Sequence, residues 1–252
     1  MFYRYIKGNL RIPMDLDNSY SGSCFIAGGS PCLLSEKLSL LAQPGISTIT
    51  INNTSSIVPA TMAVFGDKPI CYSNRILLDP RIMKFAIISR KDEEVNGDVM
   101  WKYCPNTYFI GTSDKFTVGD LLKPHRDFCW WKNTFYIALQ LAYRLGFRKI
   151  YLIGCQFKIN LEKSYAYAMS LTQEQVDYNN RTYKACVANL KFLKKHFEDS
   201  GLELISATPD SPLNDIYRHM TFEEAVSDSL KDFPKEYNTA SCVHSSTLKC
   251  EK

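Results

Sequence analysis

"CFIAGGSPCLL", residues 24 to 34, is an apolar run that breaks at Gly28-Gly29-Ser30-Pro31 and then restarts as the opening of a helix. Apolar residues that run on without alternation mark a strand covered on both faces, and such strands belong to parallel sheets. Runs of the same kind recur as "ISTITIN" (46–52), "KPICYS" (68–73), "KFAIIS" (84–89), "TYFIG" (107–111), "KIYLIG" (149–154) and "LELISA" (202–207). The Gly-Gly turn either cradles a ligand or only reverses the chain, and the strands around it decide which readings are open.

Helical patterns lie between several of these runs. In "NTFYIALQLAYRLGF", Ile137, Ala138, Leu141, Ala142 and Leu145 share one face, with Asn133 or Thr134 as N-cap and Gly146 as the stop. Residues 174–199 read as a longer amphipathic helix with Val176, Tyr183, Val187, Leu190, Leu193 and Phe197 inward. A last helix starts at Thr221, where Thr221 and Glu224 have capping-box spacing. Alternating strands and helices predict an α/β fold, a Rossmann-like open, mostly parallel sheet with helices on both faces. One domain is expected over residues 1–235, followed by a polar, flexible C-terminal tail over 236–252.

With 252 residues, 45% hydrophobic and 13% aromatic, the chain can bury one large core. Its nine cysteines are scattered through apolar runs with no CxxC pair, which predicts a reducing, cytoplasmic setting, the host cytoplasm if the chain is phage-encoded. No signal peptide is read at the start, and no apolar run approaches the roughly 18 residues that span a bilayer. The four histidines are far apart, so no metal site is expected. "DLD" at 15–17 has the spacing of a metal-binding acidic pair but precedes the first strand, and reads as a surface turn.

The formal charge of +4 is unevenly spread. Lys123, Arg126, Lys132, Arg144, Arg148, Lys149, Lys158 and Lys163 face only Asp127 and Glu162 in their stretch, and Arg181, Lys184, Lys191, Lys194 and Lys195 come after them. Such a segment is either a set of solvated helix faces or a surface for a phosphate-bearing partner.

Open α/β sheets bind ligands beyond the carboxyl ends of their strands. There the sequence offers Gly28, Gly29 and Ser30 after the first strand, with the next helix's N–H groups as an anion site; Asn52 and Asn53 after the second; and Asn74 after the third. An amide carries both donor and acceptor and can read a base edge or a ribose, although asparagine is also a common turn residue. Lys158, Tyr165 and Tyr167 come after "KIYLIG" and can face phosphates without a metal.

Those motifs together, "AGGSPCL", an apolar strand ending in Asn52, and a helix leading into "LGFRKIYLIGCQF", resemble the bacterial lipooligosaccharide sialyltransferases. They are similar also to a related domain of unknown function found in motility accessory proteins and many phage proteins. The resemblance spans roughly residues 22–215 and implies a glycosyltransferase-A variant that binds a nucleotide sugar without metal. By position it implies donor contacts at Asn52, Asn74 and Thr134, beside Asn133, and a phosphate-side tyrosine at Tyr165. The chain departs from the pattern at Gly29 (asparagine in the family), Cys32 (serine), Gln156 (aspartate) and Lys158 (tyrosine), and has no histidine near "ISATPDSPLND". A donor other than a sialic acid nucleotide fits these departures better.

The expectation is a nucleotide-sugar-dependent glycosyltransferase without cofactor, the nucleotide sugar being its co-substrate. His125 and Asp127 are the leading candidates for the base that takes the acceptor's proton, with Asp210 and His219 behind them. The acceptor is either a polyanion, such as a hydroxymethylated base in phage-type DNA contacted by Arg126, Trp130, Trp131 and Lys132, or a cell-surface glycan. Two alternatives stay open: diphosphate transfer like that of the related archaeal pterin diphosphokinases, and a nucleotide- or DNA-binding module without turnover. Oligomeric state cannot be read from these features.

Overall fold

The computed structural model describes residues 1–6, 10–131 and 133–231, so the expected C-terminal tail (236–252) and Lys132 lie outside the described residues. In chain order the strands are β1 (Phe2–Ile6), β2 (Leu10–Met14), β3 (Ser23–Ala27), β4 (Thr48–Ile51), β5 (Met62–Phe65), β6 (Met83–Ile87), β7 (Glu94–Val95) and β8 (Asp98–Val99). They continue with β9 (Thr107–Ile110), β10 (Thr112–Ser113), β11 (Phe128–Cys129), β12 (Lys149–Ile153), β13 (Glu203–Ser206) and β14 (Arg218–His219). The α-helices are α1 (Asn74–Leu77), α2 (Met100–Tyr103), α3 (Thr134–Leu145), α4 (Gln173–Asp199) and α5 (Phe222–Lys231).

Ten strands form one sheet in the order β14-β13-β12-β3-β4-β5-β6-β9-β1-β2. From β14 to β9 every neighbour pair is parallel, whereas β1 runs antiparallel to both β9 and β2. The chain winds outward from β3 to β9, then crosses back to β12 on the other side of β3. The strand order therefore reverses between β3 and β12, and a crevice opens beyond their carboxyl ends.

One face of the sheet is covered by α3 and α4, which pack Ile137, Leu141, Leu190 and Phe197 against Ile26, Ile49, Val64 and Leu152. The other face is covered by α5 (Ala225, Val226) and by short turns carrying Leu33 and Leu41, and farther along by Ile76, Leu77 and Met100. The expected two-sided covering is present, but on this second face short 3-10 turns replace most of the helix. α3 is capped as its sequence predicts: the Asn133 side chain accepts from the Phe135 N–H at 3.0 Å, and Gly146 ends the helix at φ 110°. Asn133, not Thr134, is the cap, which leaves the Thr134 hydroxyl free to point at Gly66.

"KPICYS" is not a strand. Pro69–Cys71 is a 3-10 turn whose Ile70 is 87% exposed, and the third strand is Met62–Phe65. Proline lacks the N–H that an interior strand must donate, which excludes this run from the centre of a sheet. The structure also adds β1 and β2, which pattern reading leaves out. The edge strand β2 holds Pro13, where a missing donor costs least.

Lys84 of β6 is wholly buried and donates from Nζ to the carbonyls of Asp79 (2.6 Å) and Ile82 (2.9 Å). Burial pushes its ammonium from 10.5 down to about 8. The folded chain thus holds this proton less tightly than the unfolded one, and the resulting cost is present below the folded value and relieved as pH rises to the unfolded value. Relative to a Lys84→Met variant, the wild type should gain on the order of 3 kcal/mol of stability across that window. Parallel denaturant titrations of the two proteins check it; a constant difference contradicts it.

Candidate active site

At the switch point the first glycine packs and the second leaves room. The Gly28 N–H continues the ladder to the Ile153 carbonyl (2.9 Å), and a Cβ there would lie 2.4 Å from the Gly154 carbonyl oxygen. Gly154 sits at φ 60° with no room for a side chain beside Leu33. Ser30 ties the two loops: its N–H donates to the Gly154 carbonyl (3.0 Å) and its hydroxyl accepts from the Gln156 N–H (3.1 Å). Beyond Ser30 the chain forms a five-residue 3-10 turn, Pro31–Ser35, and not the helix whose N–H groups would hold an anion. A Cβ on Gly29 would come closest to the side chains of Tyr165 and Tyr167, at 3.0 and 3.1 Å, so this residue forms the cavity floor.

The asparagines after β4 serve first to build the wall. Asn52, in the left-handed region at φ 52°, accepts at Oδ1 from the Gly66 N–H (3.2 Å) and the Tyr72 hydroxyl (3.0 Å), and its amide donates to Asp67 Oδ2 (3.4 Å). The Asn53 amide donates to the Cys71 carbonyl (2.7 Å). The cavity-lining residue at the end of the true third strand is thus Asp67, behind Gly66. Its carboxyl opens into the cavity, and the protein around it strips hydration and raises its pKa, with Arg90 opposing.

The opposite wall is the segment after β12. Asn180 of α4 pins it by a reciprocal pair, accepting from the Ile159 N–H and donating to the Ile159 carbonyl, each 2.9 Å. The Ala166 N–H donates to the Gly29 carbonyl (2.9 Å), which sets Tyr165 and Tyr167 over the glycine floor with rings parallel and 5.2 Å apart. The Tyr165 and Tyr183 hydroxyls meet at 3.2 Å. Burial raises the pKa of Tyr165, Tyr167, Tyr183 and Tyr72, so all four remain phenols able to donate. Phe157, at φ 50°, meets Phe135 edge to face at 5.2 Å.

The resulting cavity holds about 890 Å³, within the usual range for small-molecule sites. Its charged lining residues are Asp67, Glu174 and Arg181. Among the described residues, no group of three or more His, Cys, Asp or Glu stands close enough to hold a metal ion. No helix among them is long and apolar enough to cross a membrane.

Of the residues singled out in the sequence, Gly28, Gly29, Ser30, Asn52, Asn53, Trp130, Asn133, Thr134, Tyr165 and Tyr167 converge on this cavity. The other described ones do not line it. Asn74 starts α1 and donates to Asn96 Oδ1 (2.6 Å), because β5 ends nine residues before it. Lys158 points to solvent beside the inward Phe157. His125 stacks on Phe116 at 4.4 Å, Arg126 donates to the Tyr3 hydroxyl (3.0 Å), and Asp127 lies against Gly111. This places the expected catalytic pair beside β1, next to the β2 edge of the sheet and outside the cavity lining. The Trp131 indole donates to the Phe116 carbonyl (3.0 Å), Asp17 of the "DLD" turn pairs with Arg144 (3.0 Å), and neither Asp210 nor His219 reaches the cavity.

Asp67, Tyr72, Phe135, Phe157, Arg181 and Tyr183 are cavity residues that sequence reading did not assign. For Asp67 the signal was available in "MAVFGD", a short apolar run ending in Gly-Asp. Compared with known proteins, the chain matches no family model, no curated protein and no solved structure.

Proposed function

We propose that the cavity binds a nucleotide-sugar donor and that the chain is a metal-independent glycosyltransferase built on a Rossmann-like variant of the glycosyltransferase-A fold. The observation that carries this reading is the aromatic cavity at the β3/β12 switch point, where open α/β sheets take nucleotide ligands. Its rings offer stacking surfaces for a base. Tyr165 and Tyr167, held as phenols, donate to phosphate oxygens as the leaving group gains charge, and Arg181 is the cation within that wall. Asp67 is the proton acceptor in place of His125 and Asp127: the acceptor oxygen bonds to the sugar's anomeric carbon, the bond to phosphate breaks, and the hydroxyl proton passes to the carboxylate.

Release of free nucleotide from a panel of UDP-, CMP- and GDP-sugars tests the proposal, with the chain expected to release nucleotide from one class. One observation favours a binding module without turnover instead, namely that neither His125 nor Asp127 lines the cavity. Tight binding with no release from any donor would establish that reading, and activity abolished by a chelator would favour diphosphate transfer.

A further inference from the structure

The outer face of α4 carries a second feature, which the donor site shares only at its Arg181 end. Arg181, Lys184, Ala185, Ala188, Lys191, Phe192 and Lys195 are all exposed. At 3.6 residues per turn they fall within an arc of about 120°, and at 1.5 Å per residue the four cations span about 21 Å. Phe192, in the midst of them, is 74% exposed, and the helix buries Leu190, Leu193 and Phe197 instead. The carboxylates of α4 stand only at its ends, Glu174 and Asp177 before the stripe and Glu198 and Asp199 after it. Lys195 pairs with Asp199 at 3.1 Å on the open surface, a contact worth little, and Arg181, Lys184 and Lys191 have no ion-pair partner among the described residues. The stripe begins at the cavity, because Arg181 lines both.

We propose that this stripe docks a single-stranded nucleic acid, with its phosphates on Arg181, Lys184, Lys191 and Lys195 and a base stacked on Phe192. A row of cations flanking an exposed ring matches the two features of such a strand, a charged backbone and open base faces. A paired duplex keeps its base faces covered and would use the cations alone. A lipid surface is a poorer match, since the apolar side of α4 is buried in the core and only Phe192 and, at the cavity end, Tyr178 present exposed rings on this helix. Ala185 and Ala188 keep the helix surface low between the charges, so the strand can lie close. That the strand is delivered to the cavity as acceptor rests on the transferase reading; its binding to α4 does not.

Fluorescence anisotropy with labelled oligothymidine tests the proposal on the full chain. Binding should weaken with salt, with log affinity losing a slope of roughly 0.7 for each lysine of the stripe changed to glutamine. Phe192→Ala should weaken binding by at least about fivefold, the low end of stacking on one aromatic, without lowering the melting temperature. Arg126→Gln, on the sheet edge, should leave binding unchanged. No binding at low salt, equal binding by the stripe variants, or preference for phosphatidylserine vesicles over oligothymidine would each overturn the proposal. Thermal shifts with nucleotide sugars report separately on the cavity, so failure of one reading is distinguishable from failure of the other.

Discussion

Gly28→Ala is expected to lower the melting temperature more than any other single change at the cavity. The new methyl would lie 2.4 Å from the Gly154 carbonyl oxygen and 2.9 Å from Cys155 Sγ. That carbonyl cannot turn aside cheaply, because it accepts the Ser30 N–H at 3.0 Å and belongs to the join between the two central strands. Overpacking against backbone costs about 3 kcal/mol here, at the upper end of the usual range. For a domain of this size that is a fall of roughly 6–12 °C, readable by calorimetry. Gly29→Ala is the control: the nearest atoms to its methyl belong to the Tyr165 and Tyr167 side chains, at 3.0–3.2 Å, and side chains can swing, so stability should hold while the cavity narrows. A Gly28→Ala protein that melts with the wild type would contradict this account of the switch point.

Asp67→Asn carries the largest expected loss of activity. The change keeps the side chain's shape beside Asn52 and Tyr72 but removes the proposed proton acceptor, and the rate should fall by about a hundredfold to ten thousandfold. The sign of the pH dependence comes from the raised pKa. Only the ionised carboxylate takes a proton, so kcat/KM should climb as pH passes upward through that raised value, and this limb should vanish in the variant. Nucleotide release measured across pH reads both effects. Full activity in Asp67→Asn, with an unchanged acidic limb, would remove Asp67 from the chemistry.

These expectations show which parts of the site were legible in the chain. The strands that bound the crevice were, because β3 and β12 are unbroken apolar runs ending in glycine, and α3 was, because cap, face and stop agree. The third strand was hidden because it is only four residues long and Met62 and Ala63 carry no strand preference of their own. The nearby run 68–73 drew the assignment through its Ile70 and Cys71, which the fold leaves exposed. That slip moved the strand end from Asp67 to Asn74, while the catalytic candidates His125 and Asp127, taken from the loop before α3, lie beside Phe116 and Gly111 and not at the cavity. Lys158 and Phe157 show a second limit, since the left-handed backbone at Phe157 decides which of the two neighbours faces inward, and no periodicity records it. Asn52 illustrates a third: the residue is in place, yet its amide oxygen is already engaged by Gly66 and Tyr72.

The most direct measurement is the thermal shift of the purified chain against UDP-, CMP- and GDP-sugars, in wild type and in Tyr165→Phe. A ligand at about a hundred times its dissociation constant adds roughly 2.7 kcal/mol to the folded state. The account predicts a clear shift with one donor class, reduced when the Tyr165 hydroxyl is removed. No shift with any donor, or a shift that Tyr165→Phe leaves intact, would contradict a nucleotide-sugar site at the junction of β3 and β12.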